Sequence, residues 1–513
     1  MPEGLPSRLR WRLCAALLFL CANPASAAEA DTRSLAEAFD QVSRLYFGPL
    51  DVPKLAAGDA ITDKLVGMPQ RIAVAREVSV QPARQGSWSR DSAGRWLWEL
   101  AIEAEDATHL SFGFDRFNLP AGATLSIHAV DKAGDTLGPY RAEDRLPHGQ
   151  LWTPLLLTDR ALVRVRLAPG SPPRLDLSLR QIAQGYRGFG RVSAQCKSGA
   201  CNTDVACLAA DDPWNQPRRA TGAIVVGGTG LCSGVLLNNT AGDGRMLFAT
   251  ATHCGATSQQ VAASSVVYWR YESAGCRIPG SSASGQALPR PSSRTSQGLG
   301  FLAATNNPFD GGGSAGSRSD WTLIELAAPP PGNDFELFWA GWDRRPPPQT
   351  CSAPASIQQT NGLCASIHHP SGDEKRITFI ESPLVLSSIA DATGVHFRTD
   401  WDPTPPILPN MLPTPSSLPP SVTEPGSSGS PLFNADRRVV GVLSGGASFC
   451  GVSLAGLNDQ YGGLFHAWEG LGTPSTRMRD HLDPEGQAPL QLDGLDSLSE
   501  STGTFFEDGF EEQ

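Results

Sequence analysis

Between Cys21 and Cys196 the chain has no cysteine, although it carries 11 in 513 residues. The front of the molecule therefore has no disulfide framework, and the reappearance of cysteine at 196 marks a boundary between two differently built parts. Basic runs are also missing. With a net charge of -11 there is nothing to neutralise a phosphate backbone, which argues against nucleic-acid binding. No HExxH motif and no cysteine pair at metal-ligand spacing occurs, so neither a metal nor a cofactor is expected. The hydrolase elbow GxSxG fails at residues 426–430, where Ser430 takes the last glycine position. What is present is Gly (53) and Pro (42) with only 18% charged residues, a composition that suits a loop-rich β protein of two or three domains.

The N-terminus has Arg8, Arg10 and Arg12, a short apolar core at 13–21 and the small-residue site Ala25-Ser26-Ala27, which reads as a secretory signal peptide over 1–27. Its apolar run is far shorter than the ~20 residues a membrane span needs. Cys14 and Cys21 leave with it, and nine cysteines remain, an odd number in an oxidising compartment. Turn signals separate apparent strands at 96–103, 110–114, 124–129, 151–157 and 161–167, so a small β-sandwich is expected, prefaced by a helix at 34–45. Further strands at 222–227, 233–238, 245–251, 261–271, 321–326 and 439–445 suggest a barrel or sandwich behind it. Residues 280–318 are rich in Ser and Gly. Residues 402–425 hold prolines at 403, 405, 406, 409, 413, 415, 419, 420 and 425, which suits an inert surface excursion and a substrate-rim segment equally. Residues 498–513 form an acidic tail.

A hydroxyl is a poor nucleophile at neutral pH and needs an imidazole to take its proton and a carboxylate to orient the imidazole. The back half supplies FATATHCG with His253, SDWTLIEL with Asp320 and PGSSGSPL with Ser428, in the chain order of chymotrypsin-like double barrels. Cys254 offers a disulfide to pin the histidine loop. Gly426 stands two residues before Ser428 and allows the tight turn that aims two backbone N–H groups at an oxyanion, which selects Ser428 over Ser427.

These motifs lie within a longer series: CNTDVAC (201–207), SGVLLNNT (233–240), THCG (252–255), DWTLIEL (320–326), FWAGWDRR (338–345), IHHPSGDEKRI (367–377), TEPGSSGSP (423–431), DQYG (459–462) and LDPEGQAPLQLDGLD (482–496). In all of them the chain resembles the lysyl endopeptidases, secreted bacterial serine proteases of the trypsin-like fold. The resemblance implies an all-β chain: a β-rich propeptide over 28–197, then a chymotrypsin-like double six-stranded β-barrel over 198–497. It carries the triad onto His253, Asp320 and Ser428, the oxyanion hole onto Gly426 and Ser428, and the pocket acid onto Asp459. It also carries bridges onto Cys201–Cys450, Cys207–Cys276 and Cys232–Cys254. Cys351 and Cys364 flank a short insert and can close their own loop, which leaves Cys196 unpaired. A cut after Lys197 removes it together with the front domain, in keeping with self-processing by a lysine-specific enzyme.

The substrate strand is expected to pair with Ser444-Gly445-Gly446. Where the family type member has LHGG, this chain has Leu443-Ser444-Gly445-Gly446. The tryptophan on which that histidine stacks has no counterpart in 382–395, so the stack is expected to be absent. His368 and His369, adjacent on a strand, point to opposite faces and are read as structural. Ser427 stands where trypsin-like enzymes carry the aspartate that pairs with a new N-terminal amine, so propeptide removal is expected to uncover the cleft instead of building it. The expected product is a secreted, extracellular, monomeric serine endopeptidase, possible also in the periplasm or at the cell surface. It cuts protein or peptide substrates after basic residues, lysine first, and its other partner is its own propeptide. The alternatives are an arginine-accepting or broad trypsin-like protease and a non-catalytic binding protein on the same fold.

Overall fold

The computed structural model describes residues 34–497 except 64–66, 133, 188–197, 282, 285–293, 311–317, 330–334 and 391. The signal peptide, Cys196, Lys197 and the acidic tail of the sequence reading lie outside the described residues.

The front part is a two-sheet sandwich. One sheet runs in the order Arg44–Phe47, Trp96–Ala104, Arg160–Arg166, Thr124–Ala129, Thr136–Tyr140, with Ser87–Arg90 also paired to Trp96–Ala104. The other runs Ala73–Val80, Asp176–Gly185, Leu110–Asn118, Leu151–Trp152. Trp98, Leu100 and Ile102 alternate along their strand and bury one face against Phe112, Phe114 and Ile182 of the second sheet. The helix Leu35–Gln41, closed at its start by a capping box between Ser34 and Glu37, covers the outer face with Phe39. The expected helix at 34–45 is thus shorter and gives way to a strand at Arg44–Phe47. The expected strand at 151–157 is two residues plus a bridge at Leu156, because Pro154 cannot donate to the ladder.

The back part contains two barrels. In the first, Thr221–Val226, Gly230–Leu237, Leu247–Ala251, Trp321–Leu326, Thr295–Ala304 and Ser265–Tyr268 pair in a ring, closed by the pairing of Ser265–Tyr268 with Thr221–Val226. The apolar run at 261–271 divides into a helical turn Gln259–Ala262 and the strand Ser265–Tyr268. The second barrel follows Arg376–Ile380, Cys364–His368, Pro431–Phe433, Val439–Gly446, Asn458–Gly463, Ala392–Asp400 and Val385–Ile389. The N–H of Asp402, just past Ala392–Asp400, donates to the Phe379 carbonyl at 3.2 Å and brings that strand back to the first one of the ladder. Trp214, Trp321, Trp342 and Phe433 belong to one buried cluster that joins the barrels. Disulfides join Cys201 to Cys450, Cys207 to Cys276, Cys232 to Cys254 and Cys351 to Cys364.

The front sandwich docks on the first barrel. Ile72, Leu155 and Ala183 share a buried apolar cluster with Val225, Leu231, Val266 and Tyr268. Leu155 N–H donates to the Tyr268 hydroxyl at 2.9 Å, and Gln181 Nε2 to the Gly227 carbonyl at 2.7 Å. The two-residue strand Gln70–Arg71 adds to the barrel itself, pairing antiparallel with Gly230 and Leu231.

Candidate active site

The first barrel presents His253 on the turn Thr252–Cys254, which follows the strand Leu247–Ala251 and is bridged to Cys232 beside it. Asp320 precedes the strand Trp321–Leu326 in a left-handed conformation, φ 58°, which a short carboxylate side chain tolerates. That bend turns the carboxylate towards the histidine loop. Asp320 Oδ2 lies 2.8 Å from His253 Nδ1, Oδ1 accepts the His253 backbone N–H at 3.1 Å, and the Asp320 carbonyl accepts Thr252 N–H at 2.9 Å. Both side chains are fully buried, so this ring is fixed in one orientation and in the tautomer that carries its proton on Nδ1.

Ser428 comes from the second barrel, on the loop before Pro431–Phe433, between Gly426 (φ 89°) and Gly429 (φ 77°). A Cβ on Gly429 would meet Thr250 Oγ1 at 2.3 Å and the Ser233 carbonyl at 2.6 Å, so only glycine lets this loop close on the first barrel. Ser233 anchors it: its N–H donates to the Ser428 carbonyl at 2.8 Å and its hydroxyl to the Gly426 carbonyl at 3.0 Å. The His253 Nε2 atom is buried and has no hydrogen-bond partner among the described residues. The structure thus joins Asp320 to His253, while the hydrogen bond from Ser428 Oγ to His253 is not made in this covered form. Such bonds often tighten only with substrate in place.

A cleft beside Ser428 is lined by Thr423, Glu424, Pro425, the stretch from Leu443 to Gly446, Ser448 and Asp459. Asp459 is 1% exposed, and its Oδ2 accepts Trp401 Nε1 at 2.7 Å, Thr423 Oγ1 at 2.6 Å and Ser448 Oγ at 2.5 Å. Burial pushes this carboxyl up to about 6, and those three bonds hold it from going higher. A Cβ on Gly446 would lie 2.0 Å from Asp459 Oδ1, so glycine there is what gives the carboxylate its room.

Three contributions escape the sequence reading. His396, fully buried on the strand Ala392–Asp400, places Nε2 3.1 Å from Ser444 Oγ, so Ser444 has a histidine partner. Burial pushes His396 down to about 4 and keeps it neutral, against the opposing field of Asp320. Phe309 stands edge-on to the His253 ring, centroids 6.2 Å apart. The third is the front sandwich, which reaches into the cleft: Asp63, Gly67 and Met68 line it beside Ser428. Gly67 sits so close to Phe309 that a Cβ would lie 1.9 Å from its ring, and Gln70 Oε1 lies against Gly426. The cover is clamped by Arg71, which donates to Asp59 at 2.7 Å, and by Arg187, which makes two bonds to Asp63 at 2.7 and 2.8 Å.

His368 and His369 are both fully buried and turned to different partners. His368 meets Ser427 Oγ at 2.8 Å and Thr378 Oγ1 at 3.2 Å, while His369 meets the Asp373 carbonyl at 3.1 Å and stacks on Tyr271. Cys232, His253 and Cys254 are close together, but the two sulfurs are bonded to each other and offer no thiolate.

Over residues 196–462 the sequence matches the family described as lysyl endopeptidase, C-terminal domain. It is similar to a lysyl endopeptidase of Pseudomonas aeruginosa, 28% identical over 352 residues, with 64% of this chain and 64% of that protein's length covered. Among solved structures it is similar to a Glu endopeptidase, with 15% identity, a TM-score of 0.26, and 52% of this chain and 91% of that one covered. It is also similar to a serine endoprotease from Yersinia pestis, with 13% identity, a TM-score of 0.27, and 48% and 60% covered.

Proposed function

Because the chain belongs to the lysyl endopeptidase family, we propose that it is a secreted serine endopeptidase that hydrolyses the bond after lysine and is made with its front sandwich as an inhibitory propeptide. Ser428 Oγ attacks the carbonyl carbon, and His253 takes its proton at Nε2 and returns it to the leaving amine. Asp320 holds the ring and stabilises its charged form. The N–H groups of Gly426 and Ser428 face the developing oxyanion. Substrate backbone pairs with Ser444 to Gly446, and its P1 side chain enters the cleft towards Asp459.

The observation that carries the reading is Asp459: a buried carboxylate in the wall of the cleft beside Ser428, held by three donors and able to receive a cationic side chain. The deciding experiment incubates mature protein with a peptide mixture, with and without a serine-directed inhibitor, and maps the cuts. Inhibitor-sensitive cuts after lysine support the reading. Equal cutting after arginine would broaden it to trypsin-like specificity, and no cutting would favour a binding protein.

The Asp459 carboxyl gives a pH signature. Since it titrates near 6 when covered, protonation below that value removes the charge that attracts a lysyl ammonium. KM for a lysyl substrate is therefore expected to be flat above pH 7 and to rise as pH falls through 6. A norleucyl substrate, which has no charge to lose, should lack that rise, so the difference between the two separates Asp459 from the titration of His253.

The cover gives a second test. Gly67 combines φ 87° with contact on Phe309, so Gly67→Val introduces strain of at least about 1 kcal/mol together with a clash. In a chain kept uncut by Lys197→Gln, this change is expected to raise cleavage of a small lysyl ester at least about tenfold, since each 1.4 kcal/mol of weakened docking is a factor of ten in uncovered protein. An unchanged rate would show that the segment at 67–71 does not close the site.

A further inference from the structure

The segment that opens the back part is tied into the oxyanion loop by groups that none of the chemistry above uses. Ser198 is 3% exposed; its backbone N–H donates to Asp373 Oδ2 at 2.9 Å and its hydroxyl to the same oxygen at 2.6 Å. Gly199 N–H donates to Glu424 Oε2 at 2.8 Å, and Gly199 itself is wedged so that a Cβ would lie 2.2 Å from Cys450 Sγ. The start of the back part is therefore seated in a fitted slot while still part of the uncut chain.

We infer that the α-amine of Ser198, once freed by a cut after Lys197, forms an ion pair with Asp373 and through it positions the oxyanion loop, which makes Asp373 a positioning residue for catalysis. This rests on the maturation reading above. Hydrolysis adds one water across the Lys197–Ser198 amide: the carbonyl carbon of Lys197 keeps the oxygen as a carboxylate, and the Ser198 nitrogen leaves as an amine that is protonated at neutral pH. The slot gains a unit of positive charge at the nitrogen already pointed at Asp373.

That charge is what the slot lacks. Among the described residues, the carboxylates of Asp204, Asp373, Glu374 and Glu424 gather around two guanidiniums, those of Arg277 and Arg376. Arg376 is 2.7 Å from Asp204 but 3.9 Å from Asp373. Lys375 and Arg218 turn away to Glu272. Burial accordingly pushes Asp373 up to about 7 in the uncut chain, with Glu374 adding to the rise and Arg376 opposing it. A charged donor at the same distance strengthens a hydrogen bond roughly twofold over a neutral amide.

The mechanical link is short. Asp373 caps the turn Pro370–Gly372, and Ser371 in that turn donates its N–H to the Pro425 carbonyl at 2.6 Å. The His369 carbonyl lies 3.1 Å from where a Cβ of Gly426 would be. Glu424, which receives Gly199, is the residue before Pro425. Ser427 cannot supply the charge that trypsin-like enzymes place at its position; its hydroxyl is occupied by His368 Nδ1 at 2.8 Å and Glu424 N–H at 3.2 Å. The activating ion pair is moved from the oxyanion loop to the loop that supports it.

The test compares two mature forms, one starting at Ser198 and one with a single glycine before it, each with and without Asp373→Asn. The Ser198 start is expected to exceed the extended form at least about tenfold in kcat with little change in KM. Asp373→Asn should cost the Ser198 start most of that advantage in kcat and lower the extended form much less, since there it removes only the bonds from the Ser198 amide and hydroxyl. In a Ser428→Ala chain opened at 197 by an external protease, the Ser198 amine should titrate above the free-amine range of about 8 and return to it in Asp373→Asn, measured by acetylation rate against pH. An ordinary amine pKa, equal activity of the two starts, or a natural N-terminus other than Ser198 would each overturn the ion pair. A raised amine pKa in protein with no protease activity in any form would instead keep the pair and remove the protease reading.

Discussion

Ser428→Ala protein is expected to accumulate as a chain uncut between the front sandwich and the back part, with no measurable cleavage of lysyl peptides. Replacing the nucleophile of a serine protease lowers kcat by about a millionfold, because the histidine and the carboxylate act only through it. The fold should tolerate the change: Ser428 is held through its backbone carbonyl, bonded by Ser233 N–H, and among the described residues its side chain makes no hydrogen bond that alanine would lose. Two measurements separate the outcomes. Thermal unfolding should match the parent protein carrying Lys197→Gln, and mass analysis of the secreted product should show the front sandwich still attached. A cut front sandwich in a host without other proteases would mean that another enzyme performs the maturation.

The second large effect concerns Asp459→Asn in the mature enzyme. The substitution keeps the shape and one acceptor oxygen but removes the charge. A lysyl side chain entering the cleft would then be desolvated without a counter-ion, a loss of about 3–5 kcal/mol for a buried pair broken on one side. At 1.36 kcal/mol per factor of ten, kcat/KM for lysyl substrates should fall about 10²–10⁴-fold. A norleucyl substrate should lose much less and could gain, because the carboxylate is costly to bury without a cation and burial already raises it to about 6. A uniform fall for both substrates would mean that Asp459 holds up Thr423, Ser448 and Trp401 and does not read the substrate. Folded stability is expected to rise slightly at pH 8: the folded pKa lies above the unfolded one, so the ionised carboxylate destabilises the fold as pH climbs through 6.

The candidate site was legible where its geometry is local. His253 with Cys254, Asp320 before an apolar strand and Gly426 two residues before Ser428 are each set by neighbours within a few positions, and short motifs display such constraints. The strands were legible where alternation is unbroken, as at 124–129, or where a short apolar run is buried on both faces, as at 321–326. They were lost where it breaks. The strand Asp176–Gly185 has a bulge between Leu179 and Gln181 that shifts its register, so its apolar residues stop alternating. Ala73–Val80 carries Arg76 and Glu77 side by side, which hides a strand whose partly open side faces solvent. The run at 261–271 could be helix or strand by composition, and it is both. The His396–Ser444 contact and the seating of Gln70–Arg71 on Gly230 and Leu231 join residues far apart in the chain with no motif of their own, and only the closed barrels bring them together.

If the front sandwich is the propeptide proposed above, its docking would outlast the covalent link. A cut in the linker leaves untouched the apolar cluster of Ile72, Leu155 and Ala183 on the barrel, the added strand at Gln70–Arg71 and the bond from Gln181 to the Gly227 carbonyl. Before the cut the cover is held at the millimolar effective concentration of a tether; after it, recapture depends on how many free covers are in solution. Activation then has two clocks, one chemical and one set by dilution. Under the proposed maturation, the severed pair would stay together and silent in a crowded compartment. Once it spread into a large volume, the cover would depart and not be replaced, so the same molecule would be quiet near its source and active at a distance from it.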